Sequence, residues 1–473
     1  MFEAATFALR EIELYERPVT LRLPFRFGVV TLTRCPQAFV RARIEFADGS
    51  GAWGAAAELM APKWFDKNPQ LSNEDNFDQL RDVLLLARED YLADTAKATA
   101  FGHFARHYSS HLAAAAAKGY NPLLANFGPA LIDRAVLDAL CRSRAVSFQA
   151  AMRANLAGIA AQRWEFTPFD FGRFLAALQP SGSIEARHTV GLLDAITAAD
   201  LAERVGDGLP ETLEEVIQTY GHRYFKIKVG GQLEPDLARL GAIAAVLDRL
   251  SQPYFVSLDG NEQYADAHGV AELTRAIRSR AGLARLWESI LFIEQPIVRT
   301  LALATDLRAV DVGKPVIIDE SDGELDTFLQ AREHGYAGVS TKTCKGLYKS
   351  FLNAVRCTAW NKREPQAGYF MSAEDLTTQA GLALQQDLAL VDLLGIRHVE
   401  RNGHHYVNGM AALPAAEQEA FLQAHPDLYE RSHGAVRLKI QGGRIATGSL
   451  ECVGYASAAM PDFNAMTRLS ARG

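Results

Sequence analysis

The sequence predicts an α/β protein whose main unit is a parallel (β/α) barrel. In the central part of the chain, short apolar strands alternate with helical segments about eight times, which is the count of such a barrel. Acidic residues directly follow three consecutive strands of this series, and in a barrel these strand ends meet at one face. With 473 residues the chain is long enough for a second domain.

The first third of the sequence predicts an α+β region. Apolar and charged residues alternate from Phe39 to Phe46, and Asp48-Gly49 turns the chain into an antiparallel hairpin. Upstream, Pro24 to Val29 predicts a loop that either packs on this hairpin or covers a site elsewhere, with packing as the default. Helical periodicity dominates from about Asn73 to Arg144.

The barrel is predicted to begin after Pro180-Ser181-Gly182-Ser183, a composition typical of a domain boundary. Eight segments then have the apolar pattern of a strand: Ala186–Val190, Tyr224–Val229, Tyr254–Leu258, Ile290–Glu294, Pro315–Asp319, Gly338–Lys342, Ala367–Met371 and Ile396–Val399. A doubly wound open sheet is the alternative, but no Gly-x-Gly-x-x-Gly motif follows any strand.

After Arg401 the pattern returns to β, and a hairpin is predicted around the Gly442-Gly443 turn that folds back onto the first domain. The chain is thus divided into an N-terminal region (1–180), a barrel (181–400) and a C-terminal segment (401–473).

Composition excludes several classes of partner. Lys and Arg number 49 and Asp and Glu 56, giving a formal charge of −7, which argues against nucleic acid and anionic membranes. The N-terminus, Met1 to Ala5, has no secretory pattern, and no apolar run is long enough to span a bilayer. The five cysteines lack metal-ligand spacing, which predicts reduced thiols. We therefore expect a cytoplasmic protein.

Two lysines give the strand Tyr224–Val229 an unusual face. Lys226 and Lys228 are two residues apart, so their side chains point to the same side of the strand. A half-exposed edge strand would show the same pattern. Inside a parallel barrel, however, two ammonium groups need compensating carboxylates or a metal site.

Three carboxylates supply that compensation. Asp259, Glu294 and Asp319 are each the first charged residue after an apolar strand. Carboxylates held close together repel one another unless a hard cation bridges them, and oxygen ligands of this kind suit Mg²⁺. The strand Gly338–Lys342 runs into Lys345 and lies opposite the Lys226 and Lys228 strand in an eight-stranded barrel.

Together these motifs resemble the enolase superfamily, and within it the muconate-lactonizing-enzyme-like subgroup of the mandelate racemase/muconate lactonizing enzyme family. The motifs that carry the resemblance are Lys226-x-Lys228, Asp259-x-Asn261, Glu294-Gln295-Pro296, Asp319-Glu320-Ser321 and Lys342-x-x-Lys345-Gly346. The hairpin with Trp53-Gly54 and the helical region from Asp133 to Leu156 look like the family's capping domain. The resemblance implies a modified (β/α)8 TIM-type barrel and an α+β capping domain built from the N-terminal region and the C-terminal segment.

The resemblance also implies roles for the site residues. The metal ligands, holding Mg²⁺, would be Asp259, Glu294 and Asp319. Lys228 and Lys345 would be the general base and acid on opposite faces of the substrate, and Lys226 would lower the pKa of Lys228 through its positive charge. The side chains expected to support these groups are those of Asn261, Glu320 and Lys342.

The implied reaction is removal of the proton α to a substrate carboxylate through an enediolate that Mg²⁺ stabilises. Two lysines permit racemisation or epimerisation, and a single base suits cycloisomerisation or β-elimination. We expect an isomerase that acts on a small carboxylate and forms a homo-oligomer. An acid-sugar type dehydratase and a non-catalytic metal or ligand binder remain the alternatives.

Some positions depart from the family pattern. No histidine lies on the strand Ala367–Met371, Leu347 stands where many subgroup members have a second glycine, and the alanine-rich stretch near Leu112 looks like an insertion. We assign substrate specificity to two segments of the capping domain, Pro24 to Val29 and Met60 to Phe65. Five residues of the last strands and loops could reach the substrate, but a solvated or capping role is favoured for each: Glu374, His398, Glu400, His404 and His405.

Overall fold

The computed structural model describes residues 4–160 and 169–469, so the first three residues of the predicted non-secretory N-terminus lie outside it. The N-terminal region opens with a three-stranded antiparallel sheet: β1 (Ala8–Phe27), β2 (Val30–Glu45) and β3 (Gly51–Leu59). The predicted hairpin is the pairing of β2 with β3, which turns at Asp48-Gly49, where Gly49 has a φ of +85°. This part of the prediction is confirmed.

Helices cover one face of this sheet: α1 (Asn73–Ala93), α2 (Ala100–Ala117), α3 (Pro122–Ala125), α4 (Phe127–Ser143), α5 (Phe148–Arg153) and α6 (Phe171–Ala177). Helix α4 packs directly on β3, and Gly54 makes this possible, since a Cβ there would lie 2.1 Å from the backbone nitrogen of Ala139. Almost every residue of α4 is buried, so the helix forms the centre of this region rather than an amphipathic surface.

Eight parallel strands form a closed barrel: β4 (Ser183–Val190), β5 (Tyr224–Lys228), β6 (Phe255–Asp259), β7 (Ile290–Glu294), β8 (Val316–Ile318), β9 (Gly338–Thr341), β10 (Phe370–Ala373) and β11 (His398–Arg401). Parallel pairing of β11 with β4 closes it. The helices around it are α7 (Leu213–Tyr220), α8 (Leu233–Leu247), α9 (Ala267–Ser279), α10 (Ala284–Ser289), α11 (Arg299–Ala302), α12 (Thr327–Glu333), α13 (Leu347–Arg363) and α14 (Leu382–Leu393). The predicted TIM-type barrel is confirmed.

The last two barrel strands lie two to three residues later in the sequence than predicted. The predicted strand Ala367–Met371 begins in a turn, where Gly368 has a φ of +63°, and pairing starts only at Phe370. In the same way, β11 extends to Arg401 instead of ending at Val399. Both shifts bring acidic residues to the end of the barrel, with consequences for the site described below.

The C-terminal segment contributes to both units. It contains α15 (Gly403–Tyr406), α16 (Ala415–Ala424), β12 (Tyr429–Ser432), β13 (Ala435–Leu438), β14 (Arg444–Ala446) and β15 (Thr467–Arg468). The predicted turn at Gly442-Gly443 is present and is closed by an antiparallel bridge between Gln441 and Arg444. The flanking strands do not pair with each other beyond this bridge, because β13 pairs with the preceding β12 and β14 pairs antiparallel with β4 of the barrel. Strand β15 adds to the edge of β1 in the N-terminal sheet.

The segment Pro24 to Val29 is not a loop packed on the hairpin. It is the tip of the long β1–β2 hairpin, which turns at Gly28 with a φ of +49°. Phe25 and Phe27 are buried at this tip, whereas Val29 is 61% exposed. The tip therefore extends beyond the sheet and over the barrel. Among the described helices, none combines the length and the apolar character that crossing a membrane requires.

Candidate active site

A cavity of about 20 Å³ lies where the carboxyl ends of the barrel strands meet the N-terminal region. The N-terminal region lines it with apolar side chains: Phe25, Phe27, Leu32, Ala61 and Trp64. The barrel lines it with polar ones: Lys226, Lys228, Asp259, Asn261, Asp319, Lys342, Asp375, Glu400 and Asn402. The wall thus includes residues of both segments to which specificity was assigned, Pro24 to Val29 and Met60 to Phe65.

Lys226 lies at the centre of a carboxylate cluster. Its Nζ is 2.9 Å from Asp259 Oδ2, 2.8 Å from Glu294 Oε2, 2.7 Å from Glu374 Oε2 and 3.0 Å from Glu400 Oε2. Burial by itself lowers the pKa of this ammonium, but the four carboxylates outweigh burial and raise the pKa well above its usual value. Lys226 is therefore a permanent cation.

Lys228 points to the same side of β5, as its spacing predicts, and shares a carboxylate with Lys226. Its Nζ donates a hydrogen bond of 2.6 Å to Asp259 Oδ2, the same oxygen that Lys226 contacts. Burial raises the pKa of Asp259, but the two ammonium groups more than offset it and hold the pKa below its usual value. The fixed charge of Lys226 is thus next to Lys228, as the sequence analysis expected.

The opposite wall brings two further lysines to Asp319. Lys342 Nζ donates to both carboxylate oxygens of Asp319, at 2.8 and 2.7 Å, and lies 4.9 Å from the centre of the Trp64 ring. Burial raises the pKa of Asp319, but Lys342 and Lys345 outweigh it and hold the pKa well below its usual value. In return, the pKa of Lys342 is raised, because Asp319 outweighs the effect of burial.

Lys345 is close to Asp319 but does not belong to the residues that line the cavity. It belongs to one 3₁₀ turn after β9, and its Nζ donates to the backbone carbonyls of Asp319 and Ser340, both at 2.8 Å. Its ion pair with Asp319 Oδ1 is also 2.8 Å long. Lys342, rather than Lys345, lines the cavity across from Lys228. From the family resemblance, Lys345 was expected to be the general acid and Lys342 a supporting residue.

Glu294 has a buried carboxyl oxygen that a bound cation could contact. Its side chain is fully buried, and Oε1 has no hydrogen-bond partner in the described parts of the chain. Burial and the neighbouring Glu374 raise the pKa of Glu294 well above its usual value, although Lys226 opposes this. A buried carboxyl oxygen without a partner, next to Asp259 and near Asp319, is a hard oxygen donor of the kind that Mg²⁺ prefers. The residues present therefore fit this metal.

The next residue, Gln295, forms hydrogen bonds that position one of the predicted metal ligands. Gln295 is in the left-handed region with a φ of 32°, and its buried side-chain oxygen accepts hydrogen bonds from the backbone amides of Asp319 at 2.8 Å and Ser321 at 3.0 Å. Its side-chain amide donates to Ser321 Oγ at 2.8 Å. Gln295 thus connects the ends of β7 and β8 and fixes the position of Asp319.

Glu374 and Glu400 are the site residues that the sequence analysis missed. They were expected to be solvated or to cap helices, but both are only 1% exposed and bind Lys226. Arg187 forms an ion pair with Glu374 across the barrel, and Thr189 Oγ1 donates to Glu400 Oε1 at 2.6 Å. The strand end was predicted too early for Glu374: β10 ends at Ala373 instead of Met371, and this shift of two residues makes Glu374 the first residue after the strand.

The N-terminal region also supplies a cation that the sequence analysis did not identify. Lys67 Nζ donates to the carbonyl of Asn261 at 2.6 Å and contacts Glu262 at 2.7 Å and Glu320 at 3.3 Å. The backbone N–H of Asn261 in turn donates to Asp259 Oδ1 at 2.8 Å. Asn261, which also lines the cavity, and Glu320 thus connect the site to the segment that follows Trp64.

Comparison with known families identifies the barrel. Residues 208–447 match the model of the enolase C-terminal domain-like family, which is more than half of the chain. No curated protein sequence matches the chain.

Solved structures share the fold over nearly the whole chain. A muconate lactonizing enzyme from Pseudomonas fluorescens, complexed with muconolactone, has a TM-score of 0.60 at 17% identity, with 98% of each chain covered. A dipeptide epimerase from Enterococcus faecalis, complexed with Mg and the dipeptide L-Leu-L-Tyr, has a TM-score of 0.59 at 14% identity and covers 95% of this chain and 99% of its own. An enolase-superfamily member from Roseovarius nubinhibens, complexed with magnesium, has a TM-score of 0.58 at 15% identity and covers 98% of both chains.

Proposed function

The chain belongs to the enolase superfamily, in its mandelate racemase/muconate lactonizing enzyme family, and from this premise we propose that it is an isomerase acting on a small carboxylate. The proposed reaction begins with removal of the proton α to the carboxylate. The observation that supports it most is the pair of lysines, Lys228 and Lys342, which line one cavity from opposite strands with acidic side chains between them.

The difficulty of the reaction is the charge that develops on the substrate carboxylate when the α-proton leaves. Mg²⁺, bound by Asp259, Glu294 and Asp319, would supply positive charge to that enediolate. The apolar side chains of Phe25, Phe27, Leu32, Ala61 and Trp64 exclude water from above, so these electrostatic interactions are stronger than in solution.

In this proposal Lys228 and Lys342 are the proton carriers. Lys228 donates to Asp259 Oδ2 at 2.6 Å, and the cation of Lys226 contacts the same oxygen at 2.9 Å. Lys342 is paired with Asp319 at 2.7 Å, and neutralisation of that carboxylate by a cation would remove the interaction that raises the pKa of Lys342. Lys345, the general acid suggested by the sequence, becomes a positioning residue that holds the end of β8.

Two groups from opposite walls suit racemisation or epimerisation, because one removes the proton and the other returns it to the other face. A cycloisomerase uses the same groups with one lysine as an electrostatic helper. We also propose a cytoplasmic location, which the five free cysteines support. The homo-oligomer stays a prediction.

The test is proton exchange in D₂O. The full-length chain is incubated with Mg²⁺ and a panel of α-substituted carboxylic acids, and recovered acids are analysed by mass spectrometry and NMR. We expect α-deuterium in at least one recovered acid, together with inversion or ring closure. Lys228→Ala should lower the exchange rate by about 10²–10⁴-fold. Lys314→Ala is the matched control, since Lys314 donates to the carbonyl of Ile290 at the far end of the barrel.

Other outcomes separate the alternatives. A keto acid or an unsaturated product would identify a lyase instead of an isomerase. If Mg²⁺ binds but no acid in the panel exchanges its α-proton, and Lys228→Ala changes nothing, the chain is a binder and the proposal is wrong.

A further inference from the structure

A cluster of three histidines lies on the outer side of β4, away from the cavity. His188 belongs to β4, His222 precedes β5, and His404 belongs to α15. Their ring centres form a nearly equilateral triangle with sides of 5.3, 5.3 and 5.4 Å. All three are buried, and one nitrogen from each lies within 4.8 Å of the other two. Among the described residues, a search for three or more histidine, cysteine or acidic side chains with ligand atoms this close together finds these three histidines.

The separation of the nitrogens matches tetrahedral coordination. His188 Nδ1 and His404 Nε2 are 3.3 Å apart. Two nitrogens bound to one Zn²⁺ at about 2.0–2.1 Å with tetrahedral angles lie about 3.3–3.4 Å from each other. A single ion between them would therefore need little movement of either ring.

His222 is oriented as a ligand. Its Nδ1 donates to the backbone carbonyl of Ala186 at 3.0 Å, so the lone pair is on Nε2. That Nε2 has no hydrogen-bond partner among the described residues. A carbonyl that fixes the far nitrogen of a histidine is the usual support of a metal-binding imidazole. Burial lowers the pKa of all three side chains, so each is neutral near pH 7 and can donate a lone pair.

We propose that His188, His222 and His404 bind one Zn²⁺ ion, with a water molecule as fourth ligand. Neutral imidazole nitrogens suit Zn²⁺ and other late first-row divalent ions, whereas Mg²⁺ prefers oxygen ligands. The site is separate from the carboxylate cluster inside the barrel, and it does not depend on the proposed isomerase activity.

The position of the ion gives it a structural role. It connects β4, the start of β5 and α15, on both sides of the seam where β11 pairs with β4 to close the barrel. Helix α15 directly follows Glu400 and Asn402, which line the cavity. A bound ion would therefore hold the end of β11 in place.

The experiment is a metal titration of the full-length chain in excess Mg²⁺, which occupies oxygen-ligand sites. Metal-free protein receives Zn²⁺ or Co²⁺ both in the folded state and during refolding, so that slow entry into a buried site does not hide binding. We expect one ion per chain, a visible Co²⁺ spectrum of tetrahedral type, and X-ray absorption showing three imidazole nitrogens at about 2.0–2.1 Å. Asp319→Asn, which disables the carboxylate site, should bind the ion equally well.

Variants identify the ligands. His222→Gln and His404→Gln should each weaken Zn²⁺ binding at least about tenfold and remove the rise in unfolding temperature that Zn²⁺ gives. His111→Gln is the matched control: His111 is equally buried, bonds one carbonyl, and has one nitrogen without a partner in the described structure, but it lies outside the cluster. The proposal is overturned if no ion binds under either loading condition, if the spectra show oxygen ligands, or if His111→Gln weakens binding as much as His222→Gln.

Discussion

The two faces of β4 and β5 bury polar side chains in different ways. The inner face places Lys226 among four carboxylates, all within 3.0 Å of its Nζ. The outer face places His188 against His222 and His404, with no ion pair to any of the three in the described structure. The inner group keeps its charge, and its pKa is raised well above the usual value. The outer histidines lose theirs, and burial lowers the pKa of His222 to about 4.

The comparison shows that neighbouring charges determine the protonation state of a buried group. Removal of water opposes charge on both faces to a similar degree. Only the inner face provides opposite charges at contact distance, and these outweigh the loss of water. The inner face is therefore suited to ionic chemistry on a substrate, and the outer face offers neutral lone pairs to a metal.

The largest expected effect is the loss of α-proton exchange when Lys342 is replaced. Comparison with Lys345 shows which of the two lysines takes part in the reaction. Lys342→Ala should lower α-proton exchange by about 10²–10⁴-fold, because Lys342 lines the cavity. Lys345→Ala should lower the free energy of unfolding by about 1–3 kcal/mol, because two buried carbonyls lose their donor, while exchange falls less than about tenfold. Exchange assays and urea unfolding of both variants check this; the reverse order of the two effects on exchange would restore Lys345 as the acid.

The next effect concerns the charge at the centre of the carboxylate cluster. Lys226→Met should lower the free energy of unfolding by about 3–5 kcal/mol at pH 8, since the carboxylates lose their common cation. The loss should be smaller at pH 5, where those groups can take up protons. Lys349→Met is the control, because Lys349 is also buried but its described ion pairing is with Asp322 alone. Equal losses in urea unfolding for the two variants would contradict the central role of Lys226.

Glu58 of β3 lies between the two cases of the inner and outer face. It is buried against the barrel, and its neighbours offset only part of the effect of burial on its pKa. Arg134 and Thr343 contact its Oε2 at 3.2 and 3.0 Å, but burial still raises its pKa from about 4.5 to about 7. The folded state therefore holds a proton between these pH values that the unfolded state has released, and stability falls as pH rises through this window. Glu58→Gln should increase the free energy of unfolding by about 3 kcal/mol at pH 8 and leave it unchanged near pH 4.5.

Chemical unfolding of the wild type and of Glu58→Gln at the two pH values checks this expectation. A stabilisation of the same size at both would show that the effect is packing and not protonation, and a destabilisation at pH 8 would show that Arg134 keeps Glu58 ionised.

The smallest expected effect concerns the cover of the cavity. Trp64 Nε1 donates to Asp319 Oδ2 at 3.4 Å, and its ring lies 4.9 Å from Lys342 Nζ. Trp64→Phe keeps an aromatic ring but loses the donor and part of the attraction between ring and cation, about 0.5–1 kcal/mol. Exchange should therefore fall roughly two- to fivefold. A loss comparable to that of Lys342→Ala would show that Trp64 takes part directly in the chemistry.

The sequence by itself determined the barrel and the inner face of β5. Alternating strands and helices predicted the fold because each strand buried on both sides needs a continuous apolar run, and such runs are visible in one dimension. Lys226, Lys228, Asp259, Glu294 and Asp319 were found because each interrupts or ends such a run, and their order resembles a known family.

The remaining features of the site depend on tertiary contacts that the sequence does not show. Glu374 was missed because β10 ends two residues later than predicted, which brings this side chain to Lys226. Glu400 directly follows the predicted strand end at Val399, but only the closed barrel shows that it also contacts Lys226. Lys342 and Lys345 could not be separated, since the turn between them determines which ammonium faces inward. The histidine triangle joins residues more than two hundred positions apart, and their convergence depends on closure of the barrel. Local pattern specifies elements, whereas contacts between distant elements arise only when the chain folds.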